Sequence, residues 1–448
     1  MLAVAPLFLC PFFGDGVIAT VLLWLSLLTW PWMVFEPSKR VDEHVGEARR
    51  RVAKAMLHDP CFWALLVLVA FTAFRACNTG IAFRYDAEAS SWYVSSAKFP
   101  ILPGVVGAAG DLPFAASVAM FVLLQSCRHC LGRAARKVFL LTASSLSGLA
   151  AIVTLIAIHE GCASAFAQLL SADAICHSFS GFAFGLYLLV GMVALVAMSD
   201  YHAGTACLGL FSIAGNCAGL FAFAPAYLAV ALLAGSVLGL IYAATYGCVK
   251  LRGSSGFRML AIAFILIAAA GGLAYVTLPK EAMELTLAPY LELKFFPAQF
   301  WEMREVLTAI SIKSWLSNLW IGTGLGSFPF DVRFGAAEAD WAVLPSDGST
   351  LAYGWLLLLA ERGIAGMVFF VLPLGFLLFT YGRRMVGGIM QKEMPHPECV
   401  IAPVALAVFV AAGFYDCSPL RVEVVMALGA LLAVSAAAFP AVKRGENG

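Results

Sequence analysis

The sequence predicts an all-α, polytopic membrane protein with about 12 transmembrane helices. The chain is 62% hydrophobic and 12% charged, with a mean hydropathy of +0.89, whereas soluble domains carry roughly 25% charged residues. Apolar runs near the length needed to cross a bilayer recur from end to end. Lysine and arginine cluster in alternate connections between those runs, as the positive-inside rule requires of a multi-pass protein.

The apolar runs define the predicted spans. Run 1–13 ends at Gly14-Asp15-Gly16 and lacks the basic start and small-residue cleavage site of a secretory signal, so it counts as a span. The other runs lie at 16–35, 61–78, 113–127, 138–158, 180–198, 205–222, 228–248, 259–278, 363–380, 400–414 and 422–440.

Basic residues set the predicted orientation. They fall in connections 36–60 and 128–137, near 250–258, between runs 363–380 and 400–414, and in the C-terminal tail. The residues are Lys39, Arg40, Arg49, Arg50, Arg51, Lys54, Arg128, Arg133, Arg136, Lys137, Lys250, Arg252, Arg258, Arg383, Arg384, Lys392, Lys443 and Arg444. With an even number of spans, all of them and both termini are cytoplasmic. Connections 79–112, 159–179, 223–227, 279–362 and 415–421 then face outward.

Three regions follow from this pattern. Residues 1–278 form an N-terminal transmembrane bundle of about nine spans, in which segment 36–60 fits an amphipathic helix held near anionic lipid by its arginines. Residues 279–362 form one large outward loop, and residues 363–448 form the C-terminal spans and a cytoplasmic tail. No basic patch is interleaved with aromatic residues, so nucleic acid is not an expected partner.

Cysteine and histidine patterns give weak signals. Most of the twelve cysteines lie in or at the ends of apolar runs, where cysteine acts as a small apolar residue. Cys127-Arg-His-Cys130 has a C-x-x-C spacing but no second pair, as a zinc ribbon would need. Cys162 and Cys176 share an outward connection and could form a disulfide in an oxidising compartment.

The predicted spans contain few ionisable side chains. Ion-coupled carriers need such groups near the bilayer midplane, but Arg75 lies near the outer end of its span and Asn216 is one of the few strongly polar side chains at depth. A carrier or a flippase is therefore disfavoured. The polar chemistry is expected in the outward loop, where charged residues collect between 280 and 350.

Two stretches of this loop resemble the O-antigen ligase and polymerase family. Arg304-Glu-Val-Leu-Thr-Ala-Ile-Ser-Ile-Lys-Ser-Trp315 precedes Leu319-Trp-Ile-Gly-Thr-Gly-Leu-Gly-Ser-Phe328, as the family carries an arginine ahead of a P-h-x-G-x-G-x-G-x-F run. Leu356-Leu-Leu-Leu-Ala-Glu-Arg-Gly-Ile-Ala-Gly366 is similar to the family's Y-L-x-L-L-A-E-x-G-h-h-G element. Phe414-Tyr-Asp-Cys-Ser-Pro-Leu-Arg421 fits the turn before its last helix.

The resemblance implies a GT-C-like protein of the bacterial cytoplasmic (inner) membrane, with a periplasmic loop. Such proteins transfer a polyprenyl-diphosphate-linked glycan to a glycan, lipid-core or protein acceptor, without a cofactor or metal. Arg304 matches the family's arginine and would stabilise the departing diphosphate. The substrate-binding residues implied alongside it are Arg333, Gly322, Gly324, Gly326, Asp347, Tyr353 and Glu361. The glycines would let backbone amides approach the diphosphate, or would only turn the chain at the membrane surface.

The chain departs from the family at two polar positions. Ala352-Tyr353 stands where the family has His-Asn, and Ala224-Pro225-Ala226 stands where it has Ser-Arg-Gly. Either another residue takes the acceptor role (Asp340, Asp347, Tyr353 or Glu361), or the protein is a non-catalytic partner in a surface-polysaccharide assembly complex.

Overall fold

The computed structural model describes residues 4, 6–7, 17–35, 44–77, 82–86, 91–95, 108–159, 181–197, 203–223, 298–325, 328, 331–332, 353–390, 397–414 and 422–438. These residues are helical apart from one short hairpin and the turns between elements. The all-α prediction is therefore confirmed with that one exception.

Eleven helices are described. They are α1 (Val17–Phe35), α2 (Val45–Leu57), α3 (Pro60–Cys77), α4 (Ala108–Gln125), α5 (Arg133–His159), α6 (Gly181–Ala197), α7 (Ala203–Phe223), α8 (Ala298–Ser317), α9 (Gly354–Met390), α10 (Pro397–Ala412) and α11 (Val422–Ala438). A π-helical turn, Ser126–Cys130, continues α4. Predicted runs 16–35, 61–78, 113–127, 138–158, 180–198, 205–222, 363–380, 400–414 and 422–440 each coincide with a helix, whereas 228–248, 259–278 and most of 1–13 lie outside the described residues.

The hairpin was not expected from the sequence. Strands β1 (Ala82–Asp86) and β2 (Ser91–Ser95) pair antiparallel, with Ala82 opposite Ser95. They lie in connection 79–112, which was expected to be a loop. Both strands carry aromatic residues, and β2 also carries Val94, which favours an extended backbone.

Part of the helical set could span a membrane, judged by length and composition. Within the described residues, Ala135–Val153 and Gly354–Arg383 are long and apolar enough to cross a bilayer, and the bent pair Val45–Leu57 with Pro60–Arg75 gives a third candidate. Shorter apolar helices occur at Val21–Trp32, Phe114–Cys130, Cys207–Leu220, Ala402–Ala412 and Val424–Ser435. The count of 12 spans and the GT-C-like arrangement stay predictions.

Helix α11 lies in the centre of the bundle. Its residues from Val424 to Ser435 are almost completely buried on every side, and the helix packs against α4 and α6. A helix that is apolar all round is expected in such an interior position. The Tyr381 hydroxyl of α9 donates a hydrogen bond to the Leu432 carbonyl oxygen at 2.7 Å, which joins the C-terminal helices to this core.

Helices α5 and α7 meet through small residues. Gly215 and Gly148 bring the two backbones so close that a methyl group on Gly215 would overlap the Gly148 backbone. The Asn216 amide nitrogen donates to the carbonyl oxygens of Ser144 at 2.8 Å and Ser212 at 2.7 Å, and its amide oxygen accepts from Ser147 at 2.7 Å. Asn216 therefore has a packing role in this interface, of the kind common between membrane helices.

Helix α2 has the amphipathic character predicted for 36–60. It is bent by 73° from α3. Its Ala48, Val52 and Met56 are buried, while its arginines and lysine lie on the other faces. Asp59 fixes the bend, since its carboxylate accepts from the Cys61 backbone at 3.1 Å and pairs with Arg128 at 3.2 Å.

Candidate functional site

Arg304 lies on the buried face of α8. Leu307, Ser311 and Ser314 follow it at helical spacing and are also buried, so this face packs against α9. Arg304 is 3% exposed, and its guanidinium carbon lies 4.6 Å from the centroid of the Tyr353 ring. The aromatic face stabilises the cation where water is scarce. Two of the residues predicted for the site are thus in direct contact.

Helix α9 is broken at Gly363, which has a φ of 67° and a ψ of −170°. The rings of Trp355 and Phe370 lie 5.8 Å apart, whereas in a continuous helix these positions would be separated by about 22 Å. The helix therefore folds back on itself. We call 354–362 α9a and 364–390 α9b; the predicted span 363–380 begins at the break.

The glycine run crosses this break and bonds to both halves of α9. We call 319–324 the crossing segment. The amides of Thr323 and Gly324 donate to the carbonyl oxygens of Ala360 and Glu361 at 2.9 and 3.1 Å. In return, the amides at the start of α9b donate to the crossing segment, Ile364 to Leu319 and Ala365 to Trp320, both at 3.0 Å. Backbone groups that a helix break leaves without intrahelical partners are thereby satisfied.

Gly322 and Gly363 allow this crossing. A methyl group on Gly322 would overlap the backbone of Glu361 and Arg362, and one on Gly363 would overlap the backbone of Trp320 and Ile321. Gly322 therefore serves backbone packing. Gly324 has a φ of 131°, and no described atom lies within 4 Å of the position where its side chain would begin.

Three charged residues meet at the break: Arg75, Glu361 and Arg362, which we call the break cluster. All three are at least nine-tenths buried. Arg75 comes from the end of α3, and its Nη2 atom donates to the carbonyl oxygens of Gly322 at 3.3 Å and Glu361 at 3.4 Å. The Glu361 carboxylate accepts from the Phe328 amide at 3.3 Å.

Asp331 lies beside the break. Its carboxylate accepts from the Thr323 hydroxyl at 3.3 Å and is also hydrogen bonded to Ser314. Burial raises the pKa of Asp331 above its ordinary value, although both hydrogen bonds oppose that shift. A carboxyl group with a raised pKa exchanges its proton closer to neutral pH than an exposed aspartate does.

The predicted site residues thus fall into two groups. Arg304 and Tyr353 lie at one end of the α8–α9a contact. Gly322, Gly324 and Glu361 lie at the break, near Ser314 of α8, which is about 15 Å along that helix from Arg304. Arg333, Gly326, Asp347 and Asp340 lie outside the described residues.

Sequence reasoning missed Arg362 as a site residue and placed Arg75 only at the end of a span. Arg362 follows Glu361 directly in the L-A-E-x-G element, so the sequence does place it next to a predicted site residue. Its burial depends on the fold-back at Gly363, which helical periodicity does not reveal.

The described part of the chain brings no three histidine, cysteine, aspartate or glutamate side chains together in a way that could hold a metal ion. Cys127 and Cys130 are buried free thiols, and Cys162 and Cys176 lie outside the described residues. Comparison with models of known protein families finds no match, and comparison with curated proteins finds none either.

Proposed function

We propose that this protein transfers a glycan from a polyprenyl-diphosphate carrier to a hydroxyl or amine acceptor at the outer face of the bacterial cytoplasmic membrane, as in O-antigen ligation or polymerisation. The observation that carries the proposal is the buried Arg304 guanidinium held on the Tyr353 ring. The reaction breaks the bond between the anomeric carbon and the diphosphate. A fixed guanidinium stabilises the negative charge that develops on the departing group.

Burial strengthens the electrostatic interaction that the Arg304 charge can make. A guanidinium with little water around it interacts more strongly with an approaching diphosphate than an exposed one would. Tyr353 fixes its position before the substrate arrives, so little reorganisation is needed during the reaction. The acceptor is a glycan, a lipid core or a protein, and the proposed reaction uses neither a cofactor nor a metal.

A non-catalytic role in a surface-polysaccharide assembly complex is the second candidate. The Ala352-Tyr353 pair favours it, because the resembling family has a histidine there and Tyr353 is already engaged in holding Arg304. Deleting the gene separates the candidates from a flippase. Loss of capped or long-chain glycan with lipid-linked precursor still present outside supports transfer, and loss of the outward precursor supports a flippase.

Substitution of Arg304 tests the transfer directly. We expect Arg304→Ala to reduce transfer roughly a hundred- to a thousand-fold, equivalent to about 2.7–4 kcal/mol of transition-state stabilisation. Arg304→Lys should recover only part, since an ammonium group does not reproduce the two-pronged phosphate contact.

Surface glycan is measured by complementation at matched protein levels. Lys313→Ala is the control, because Lys313 is exposed on the same helix. Full complementation by Arg304→Ala would make the non-catalytic role the better account.

A further inference from the structure

Within the part of the chain that the structure describes, the break cluster carries an unbalanced charge. Arg362 is 1% exposed, Arg75 8% and Glu361 5%, so two guanidinium groups share one carboxylate in a nearly solvent-free place. Glu361 and Arg75 are the charged groups that interact with Arg362 among the described residues. A buried charge without a counter-charge is strongly unfavourable, and a further anion would balance this cluster.

Both arginines keep hydrogen-bonding capacity for that anion. Arg75 uses Nη2 on two backbone carbonyls, but its Nε finds no acceptor in the described part of the chain, and neither does Nη1 of Arg362. Buried donors of charged groups are costly to leave unsatisfied. The Gly324 amide bonds to the same Glu361 carbonyl as Arg75, and no described atom lies within 4 Å of the position where a Gly324 side chain would begin.

Exposed hydrophobic residues flank the cluster along the chain. Phe74 precedes Arg75, Trp320 and Ile321 precede Gly322, and Val368 lies one turn beyond the break; all four are exposed large hydrophobic residues. In a membrane protein, exposed apolar side chains face lipid chains, so the elements that carry the two arginines also contact lipid. A lipid-borne anion is therefore the ligand that this part of the protein would meet.

We propose that Arg75 and Arg362 bind a phosphate group carried on a lipid. Guanidinium groups match phosphate oxygens in geometry and charge, and one phosphate can accept from both arginines. The phosphate comes from a prenyl-diphosphate carrier or from the headgroup of a membrane phospholipid. The site lies about 15 Å from Arg304 along α8 and does not depend on glycan transfer taking place.

Ligand binding to the purified full-length protein tests this site. The probes are farnesyl diphosphate, phosphatidylglycerol and inorganic pyrophosphate, each titrated in detergent while the midpoint of thermal unfolding is followed. We expect farnesyl diphosphate to stabilise the wild-type protein and Arg362→Gln to weaken that binding by about tenfold or more. Arg383→Gln is the matched control, since Arg383 is exposed on the same helix. The affinity of this variant for farnesyl diphosphate should stay within about twofold of the wild type.

The ligand-free variants separate binding from structural support. Because Arg362→Gln removes an unbalanced buried charge, its unfolding midpoint should equal or exceed that of the wild type. An arginine that only supports the fold would lower the midpoint when removed. Failure of Arg362→Gln to fold, unchanged affinity in that variant, or no stabilisation of the wild type by any probe would each overturn the proposal.

The three probes also identify the source of the phosphate. Arg362-dependent binding of farnesyl diphosphate alone supports a prenyl carrier, and equal binding of phosphatidylglycerol supports a phospholipid headgroup. Binding of inorganic pyrophosphate alone would contradict the lipid-borne ligand. If Arg304→Ala transfers glycan normally while binding still depends on Arg362, the proposed reaction fails and this site stands.

Discussion

At the residue scale, Tyr353 determines how Arg304 is held. The ring centroid lies 4.6 Å from the guanidinium carbon, in a place where a leucine would offer an apolar contact but no negative face. Cation–π contacts at desolvated sites contribute up to about 2 kcal/mol. We therefore expect Tyr353→Leu to lower transfer by roughly 5- to 30-fold, and Tyr353→Phe to remain near wild type.

The measurement is surface-glycan complementation at equal protein level, with the phenylalanine variant as the control for the ring. Full complementation by both variants would show that the ring does not position Arg304. Equal loss in both variants would instead assign the role to the Tyr353 hydroxyl, which both of them lack.

Asp331 makes a pH-dependent contribution to stability. Burial raises its pKa in the folded protein, so the folded state binds the proton more tightly than the unfolded state. Stability from this group is therefore present below the unfolded pKa and is lost as the pH rises through the folded pKa. We expect Asp331→Asn to remove this loss.

Thermal unfolding from pH 4 to pH 7 checks the sign. The wild type should lose more stability than Asp331→Asn across this range. A steeper loss in the asparagine variant would mean that the hydrogen bonds from Thr323 and Ser314 outweigh burial.

At the element scale, the α9 break depends on two glycines with positive φ, at positions 322 and 363. An added methyl group at either position meets backbone atoms, which cannot move aside as a flexible side chain can. Gly322→Ala and Gly363→Ala should each cost about 3 kcal/mol or more, or prevent accumulation.

Substitutions at two other glycines test whether backbone overlap causes the destabilisation. Gly375→Ala, in α9b, meets no described atom within 4 Å and should be neutral or stabilising by up to about 1 kcal/mol. Gly324→Ala should fall between, because its φ is strained but no described atom crowds it. Protein level and the midpoint of thermal unfolding are the readouts; equal effects at 322, 363 and 375 would contradict the crossing.

The contact between helices α5 and α7 depends on the hydrogen bonds of Asn216. Its amide group is hydrogen bonded to Ser144, Ser147 and Ser212 in a fully buried interface. Interhelical hydrogen bonds of this kind contribute about 0.6–1.7 kcal/mol in membrane proteins. Asn216→Ala should lose that amount, and Thr142→Ala, at an exposed position of α5, should not change the midpoint of thermal unfolding.

Helix positions follow from the sequence far better than helix shapes do. Runs such as 180–198 and 205–222 predict α6 and α7 to within about two residues, because burial of a continuous apolar stretch fixes where a helix can lie. The fold-back at Gly363 leaves no such signal, since both halves of α9 are apolar. Charge position alone therefore could not place Arg362 beside Arg75.

At the scale of the whole molecule, contacts join segments predicted to lie on the same side. Asp59 in connection 36–60 pairs with Arg128 in connection 128–137. At the other end, Arg75 bonds to the loop residue Gly322, and the Trp355 indole donates to the Val410 carbonyl at the end of α10. These pairings agree with the alternation that the basic residues predict, while the side itself stays a prediction.

Cysteine labelling decides that side. We predict that 279–350 lies outside and that both termini and 36–60 are cytoplasmic, because lysine and arginine favour the cytoplasmic side of a multi-pass protein. In a background without native cysteines, Ser346→Cys (outside the described residues) should react with a membrane-impermeant maleimide in cells whose outer membrane has been opened. Arg50→Cys, on the exposed side of α2, should react only after lysis. Because Arg75 at the end of α3 contacts the loop, an inward loop would also turn the break cluster and Arg304 to the cytoplasm. Labelling of Ser346→Cys only after lysis would therefore overturn the topology and the proposed transfer together. Labelling of Arg50→Cys without lysis would overturn the cytoplasmic placement of 36–60.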